Sequence, residues 1–112
     1  MSTIPIITIK KAQQLLFLKP KDLLYCRAAN AYVEIHLVNK PNQLLLSSCT
    51  LSEIETYLEP MGFYRIHHKY LINTAYLSAY DLEQSYIVLS DGVRLKLAMT
   101  RKKDFLKKFV VF

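Results

Sequence analysis

Basic and imidazole side chains are concentrated in the largely apolar segment FYRIHHKYLIN, residues 63–73, which contains Arg65, His67, His68 and Lys69. Burying so many of these groups together would be strongly unfavourable unless each found a partner. At least part of the segment is therefore predicted to emerge from the fold as a loop. In a loop, Arg, His and Lys side chains can reach the phosphate oxygens and base edges of a nucleic acid.

The same side chains also have structural interpretations. Arg65 can pair with an acid, and His67 can be a hydrogen-bonded core histidine. In an extended backbone, His67 and His68 would point to opposite sides, so the two imidazoles are not expected to share a metal ion. His36 could join one of them, but we predict no metal and no other cofactor.

A second group of cations opens the last predicted helix. Arg101, Lys102 and Lys103 are expected in its first turn, with Thr100 as the N-cap. Cations in a first turn are unfavourable by about 0.3–1 kcal/mol each, because the free amides there carry partial positive charge. Lysines can simply solvate a helix, but a bound anion such as phosphate would reverse the penalty.

Nothing in the sequence indicates catalysis. No Ser or Cys lies on a recognisable nucleophile turn, and no glycine-rich phosphate loop can form because Gly62 and Gly92 are the only glycines. Cys26 and Cys49 lack C-x-x-C spacing, which favours free buried thiols over a disulfide or metal site. We therefore predict that the chain is not an enzyme.

Strands with one buried face are predicted to position these groups, because most of the chain alternates with period two. LLYC (23–26) and AYVEIHL (31–37) are predicted to pair through a loop at 27–30. The dipeptide Asp91-Gly92 predicts a hairpin within SYIVLSDGVRLKL (85–97). Further strands are predicted at QLLLSS (43–48) and AYLSAYD (75–81).

Two helices complete the predicted elements. Thr50 and Glu53 have the spacing of a capping box, and Pro60 ends the helix that follows. Near the end of the chain, apolar residues recur at helical spacing, namely Phe105, Leu106, Phe109 and Val110. The fold class is therefore mainly β and antiparallel, with a short central helix and a C-terminal helix.

Length and charge limit the remaining possibilities. The 112 residues, 52% of them hydrophobic, predict one domain over 1–112. The net charge is +6, and residues 61–112 carry nine Lys/Arg against four Asp/Glu, which favours a polyanionic partner: nucleic acid or an anionic membrane surface. Neither a signal peptide nor an apolar run of about 20 residues is present, so we predict a cytoplasmic protein that does not span a membrane.

Three motifs resemble the LytTR DNA-binding domains of bacterial transcriptional regulators. DLLYCRAANAYVEIHL (22–37) is similar to that family's first segment, FYRIHHKYLIN (63–73) to its F-x-R-I-H-R-S-Y-L-V-N signature, and LSDGVRLKLAMTRKKDFLKKF (89–109) to its closing hairpin and helix. The resemblance extends from about residue 7 to residue 109. Departures at Arg27, His68, Lys69 and Lys96 mostly add or retain positive charge, so base preference is not carried over.

The resemblance implies an elongated, antiparallel β-sheet or sandwich fold that enters successive major grooves of double-stranded DNA with loops and regulates transcription. It implies a role as the output domain of a response regulator in a two-component system. It allows a receiver domain or sensor protein in the same pathway, and a homodimer on DNA. The DNA-binding residues it indicates are Asn30, Tyr32, His67, His68, Lys69, Thr100, Arg101 and Lys103.

Within that set, Lys69, Arg101 and Lys103 are expected to contact phosphates, and His68 with Thr100 or Arg101 to read bases. Two alternatives remain. One is a protein-interaction module that binds an acidic partner through the basic surface. The other is single-stranded RNA binding on an aromatic platform, for which the candidates are Tyr64, Tyr70, Tyr76, Tyr80 and Tyr86.

Overall fold

The computed structural model describes residues 6–112. The first element is a hairpin of β1 (Ile7–Lys11) and β2 (Gln14–Leu18), joined by a turn in which Ala12 has a φ of 54°. Ile7 and Ile9 point into the core, whereas Leu15 and Phe17 remain exposed. The patterns above do not predict this hairpin, because the run LLFL (15–18) lacks alternation between apolar and polar residues.

A five-stranded antiparallel sheet forms the centre of the molecule, in the order β5-β4-β3-β7-β6. Its strands are β3 (Leu23–Ala29), β4 (Tyr32–Leu37), β5 (Leu44–Ser47), β6 (Phe63–His67) and β7 (Tyr70–Asn73). The loop predicted at 27–30 is too long. Pairing of β3 with β4 continues to Ala29 opposite Tyr32, and only a tight turn at Asn30 and Ala31 joins the two strands. Asn30 has a φ of 56°, in the left-handed region that such turns require and that Asn tolerates.

A three-stranded sheet with the order β10-β9-β8 follows. It consists of β8 (Leu77–Asp81), β9 (Tyr86–Leu89) and β10 (Arg94–Lys96). The hairpin predicted at Asp91-Gly92 is confirmed, and Gly92 there has a φ of 89°. Short 3-10 turns at Pro20–Asp22, Glu59–Met61 and Thr74–Tyr76 connect other elements.

Helix α1 (Leu51–Leu58) confirms the predicted capping box: Thr50 accepts from the amide of Glu53, whose carboxylate accepts from the amide of Thr50, each at 3.1 Å. Helix α2 (Met99–Leu106) differs from the prediction at both ends. The prediction that Thr100 is its N-cap is wrong. Ala98 occupies that position, because its amide is still bonded to the carbonyl of Ile66 in β6 and the helix begins directly afterwards.

Two clusters of buried side chains lie against the central sheet, which gives the molecule its sandwich character. The β1–β2 hairpin and α1 contribute Ile7, Ile9, Leu51, Ile54 and Leu58 to the first cluster. The three-stranded sheet and α2 contribute Ile87, Leu89, Leu95, Leu97 and Phe105 to the second. Each cluster therefore consists of residues from distant parts of the chain.

The two cysteines are free thiols, as predicted. Cys26 is buried and Cys49 is half-buried in the first cluster. Burial raises the pKa of the Cys26 thiol to about 12, so this side chain behaves as a small hydrophobic group.

Asn73 is buried and holds in place the C-terminal end of the segment 63–73, which is called the signature segment below. Its side-chain amide donates to the carbonyls of Pro20 and Leu23, at 3.1 and 2.9 Å, and its side-chain oxygen accepts from the amide of Ala75. These bonds connect β7 to the start of β3, which helps to hold the two strands in register.

Candidate nucleic-acid interface

The turn after β3 and the turn before β7 lie side by side. The two strands are antiparallel, with Arg27 opposite Tyr70, so both turns project from the same end of the central sheet. The amide of Ala28 donates to the carbonyl of Lys69 at 2.9 Å, which joins the two turns directly. The first two predicted DNA-binding segments are therefore neighbours in space.

The second turn consists of His68 and Lys69, which are both exposed, as predicted for the signature segment. His67 is half-buried at the end of β6, and its Nδ1 accepts a hydrogen bond of 3.1 Å from the amide of Lys69. The extended backbone in which His67 and His68 would point to opposite sides is not present here. Their ring centroids are 4.2 Å apart, because His68 lies in the turn rather than in an extended strand.

The third predicted segment packs against β6 just before this turn. The bond from Ala98 to the Ile66 carbonyl is 2.8 Å long, and Nη1 of Arg101 donates to the carbonyl of Arg65 at 3.3 Å. Thr100 is exposed in the first turn of α2, and Arg101 is half-buried there. The prediction that Lys103 belongs to the first turn is wrong: it is exposed in the last turn, because α2 begins at Met99 and ends at Leu106.

Positively charged side chains outnumber negatively charged ones around His67. The pKa of His67 is lowered by partial burial and, to a lesser degree, by the positive charges of His68, Lys69, Lys96 and Arg101. These groups belong to the second turn, β10 and α2, so three elements bring positive charge to one place. An anion placed there would relieve their mutual repulsion.

Lys96 is a residue that the site prediction missed. It is exposed on β10 and acts on His67. Its position in the closing motif was the available signal. Only the tertiary structure shows that β10 and β6 contribute Leu95 and Ile66 to one buried cluster, which brings the charge of Lys96 towards His67.

An open depression of about 310 Å³ links the first two turns to the start of α1. Its lining includes Asn30, Tyr32, Arg65 and His68 together with residues 48–52. Tyr32 is 51% exposed, so its ring is available at the rim. The structure thus brings Asn30, Tyr32 and His68 around one shallow surface.

The tyrosines considered for RNA binding do not form an exposed platform. Four of them pack against the second buried cluster, namely Tyr64, Tyr70, Tyr76 and Tyr80, and Tyr86 is half-buried with Arg94 over its ring. All five are half-buried, Tyr76 in a 3-10 turn and the other four in strands. The stacking surface that single-stranded RNA would need is therefore not found among these side chains.

Within residues 6–112 there is no group of three or more His, Cys, Asp or Glu side chains arranged to hold a metal ion. In the same part of the chain, no helix has the length and apolar character needed to cross a membrane.

The domain is of the mainly β class, with three antiparallel sheets and a basic turn beside the start of a basic helix, and comparison with known proteins identifies its family. The family model described as the LytTr DNA-binding domain matches residues 13–109. The chain belongs to the LytTR family of DNA-binding domains. The resemblance inferred from the three sequence motifs and the predicted fold class are both confirmed.

Individual relatives agree with this assignment. The chain is 28% identical over 91 residues to the transcriptional regulatory protein LytR of Staphylococcus aureus, in strains N315, NCTC 8325 / PS 47 and USA300 alike. That match covers 79% of this chain and 36% of the regulator, so the chain spans about a third of that relative's length.

A solved structure shares the fold. It is the LytTr DNA-binding domain of a Bacillus cereus protein described as a methyl-accepting/DNA response regulator, with a TM-score of 0.76 and 18% sequence identity. The superposition covers 91% of this chain and 94% of the other.

Proposed function

We propose that this domain binds double-stranded DNA in a sequence-specific manner, by placing its turns in the major groove, and that it regulates transcription in this way. The observation that carries the proposal is the meeting of three segments at one end of the central sheet: the uncharged turn at Asn30, the basic turn at His68 and Lys69, and the basic start of α2. Membership of the family supports DNA binding, and this geometry supports the choice of surface.

The proposed contacts fall into two groups. Lys69, Arg101 and Lys103 would contact phosphates and position the domain, and Lys96 joins them because of its place near His67. Asn30, His68 and Thr100 would reach base edges, since all three are exposed. Arg101 donates one of its N–H groups to Arg65, which leaves its other donors for the DNA.

His67 and Tyr32 are not proposed to read bases, but each contributes to the interface in another way. His67 is half-buried, and its Nδ1 is occupied by the amide of Lys69, so it shapes the turn and contributes to the local field. Tyr32 lies beside Asn30 and would pack against the sugar and phosphate backbone.

Selection of duplexes from a random pool, followed by sequencing and titration, tests the proposal. We expect a preferred sequence to emerge, and the logarithm of its binding constant to fall with the logarithm of salt concentration at a slope of about −4 to −5 if about five phosphates are neutralised. A pool without any enriched sequence would contradict specific recognition. Tight binding of an acidic protein with none of the duplex would favour the protein-interaction alternative.

The wider biological role is proposed on the same basis. Because the S. aureus relative is a transcriptional regulatory protein of which the matched segment is only 36%, we propose that this domain acts as the output part of a response regulator in a two-component system, coupled to a receiver domain or a sensor protein. A homodimer on DNA and a cytoplasmic location accompany this proposal. The mass of the complex with a selected duplex, measured by light scattering, tests the stoichiometry.

A further inference from the structure

Arg65 belongs to the basic signature segment, but its guanidinium is directed into the protein. Only 11% of its side chain is exposed. Nε donates to the carbonyl of His67 at 2.8 Å, Nη2 donates to the carbonyl of His68, and Nη1 contacts the carboxylate of Glu55 at 2.8 Å. A positive group that nucleic acid could have attracted is thus bonded to its own turn and to α1.

From this arrangement we infer that Arg65 and Glu55 form a positioning pair, which holds the turn at His68 and Lys69 in the shape that DNA binding requires. The inference rests on the proposed function. Neither residue would touch DNA; both would act through the turn.

The guanidinium is suited to this task because it is planar and offers several donors in a fixed geometry. The carbonyls of His67 and His68 lie at the turn, and Arg65 donates a hydrogen bond to each of them. Without these bonds the turn would sample several conformations, and the conformational entropy lost when DNA orders it would lower the affinity.

Glu55 connects the guanidinium of Arg65 to a part of the protein that is held in place by packing. It lies on α1, which is anchored in the first buried cluster by Leu51, Ile54 and Leu58. The ion pair therefore connects an exposed turn to a packed helix. The main-chain carbonyl of Arg65 also accepts from Arg101, so the same residue connects the turn to the start of α2.

A charge-removing variant distinguishes this role from a phosphate contact, because the two predict opposite signs. Glu55→Gln removes a negative charge from a DNA-binding protein, which on electrostatic grounds alone tightens binding. If Glu55 positions the turn through Arg65, the same substitution weakens binding to the selected duplex by about tenfold, the usual scale for one charge-assisted hydrogen bond.

Glu59→Gln is the matched control. It makes the same charge change at the exposed residue that directly follows α1, and no side-chain hydrogen bond or ion pair of Glu59 is found within residues 6–112. We expect this variant to bind as the unaltered domain does, or slightly more tightly. Equal or tighter binding by Glu55→Gln relative to Glu59→Gln would overturn the inference.

Arg65→Lys and Arg65→Gln provide a second comparison. Lysine keeps the charge, but its single ammonium nitrogen cannot replace the planar fork of three nitrogens with which Arg65 contacts three acceptors. We expect both variants to lose affinity to about the same extent, with the salt slope within about 0.5 of its original value, because no phosphate contact is removed. If Arg65→Lys retains full affinity while Arg65→Gln lowers the slope by about one, Arg65 contacts phosphate and the inference is wrong.

Amide exchange without DNA separates this inference from the proposed function. The amides of Lys69 and Ala28 report on the turn, since they donate to His67 Nδ1 and to the Lys69 carbonyl. In Glu55→Gln we expect both amides to exchange faster while the global unfolding temperature stays close to that of Glu59→Gln. Unchanged exchange rates would overturn the positioning role even if the domain binds DNA. Failure of the unaltered domain to select any duplex would instead defeat the proposed function.

Discussion

The main-chain amide of Ala28 donates a 2.9 Å hydrogen bond to the carbonyl of Lys69, so the turn that carries Asn30 and the turn that carries His68 are held at a fixed separation. Backbone bonds of this kind do not depend on side-chain rotamers. Substitutions at Asn30 and His68 should therefore report on contacts with DNA rather than on the relative position of the turns.

Asn30→Gly isolates the side chain of the first turn. Glycine adopts the left-handed φ of 56° without strain, so the free energy of unfolding should be unchanged to within about 0.5 kcal/mol. Loss of the amide group should weaken binding to the selected duplex by about 1–3 kcal/mol if Asn30 contacts a base. Fluorescence polarisation titration and thermal unfolding measure the two quantities, and an unaffected affinity would exclude Asn30 from the interface.

His68→Ala should weaken binding to the selected duplex more than binding to a scrambled one. The side chain is exposed in the turn, so a base contact there should contribute about 1–3 kcal/mol of discrimination. Parallel titrations with the two duplexes at one salt concentration give the difference. Equal losses on both would show that His68 does not read sequence.

Lys103→Ala should weaken binding to both duplexes alike. A phosphate contact carries no sequence information, and its loss should reduce the magnitude of the salt slope by about one unit. Lys103 is in the last turn of α2, further along the helix than Thr100 and Arg101, so a contact from it would reach a phosphate further from the two sheet turns. A slope equal to that of the unaltered domain would remove Lys103 from the phosphate-binding set.

Stability should fall as the pH drops below about 6.5, the ordinary pKa of histidine. The pKa of His67 is lowered in the folded protein, so the unfolded chain takes up the proton first and is stabilised by it. Above that pH the residue is neutral in both states and contributes no pH dependence. The groups responsible besides partial burial are His68 and Lys69 of its own turn, Lys96 on β10 and Arg101 on α2.

His67→Asn checks the assignment, because asparagine offers an acceptor near the position of Nδ1 but does not titrate. Denaturant unfolding of both proteins at pH 7.5 and at pH 5.0 isolates His67, since the other histidines are common to both. We expect a smaller loss of stability in the variant. The same loss in both proteins would mean that another group is responsible.

Local patterns predicted the elements whose formation depends on neighbouring residues. The Thr50 and Glu53 pair predicted α1, and Asp91-Gly92 predicted the last hairpin, because caps and tight turns are determined by side chains within a few positions. The same reasoning failed at Thr100. The start of α2 is determined by the bond from Ala98 to Ile66 in β6, a residue far away in the sequence.

The sequence also predicted which segments belong to the site, but not the role of every residue in them. Exposure of His68 and Lys69 followed from the cost of burying them, and the segments around Asn30, His68 and Thr100 followed from the three motifs. The role of Arg65 did not. Its residue type allows a phosphate contact or an ion pair equally, and only the approach of Glu55 on α1 decides between them.

The amino-acid sequence alone thus determined most of the strands other than β1 and β2, the first helix, the excess of positive charge and the family, because periodicity, capping and motif spacing are properties of short stretches of chain. Only the tertiary structure decided that the three segments meet, that Lys96 joins them and that Arg65 faces inward. Those facts depend on the pairing of β3 with β7 and on the packing of α1 and α2 against the central sheet, which are contacts between residues that are remote along the chain.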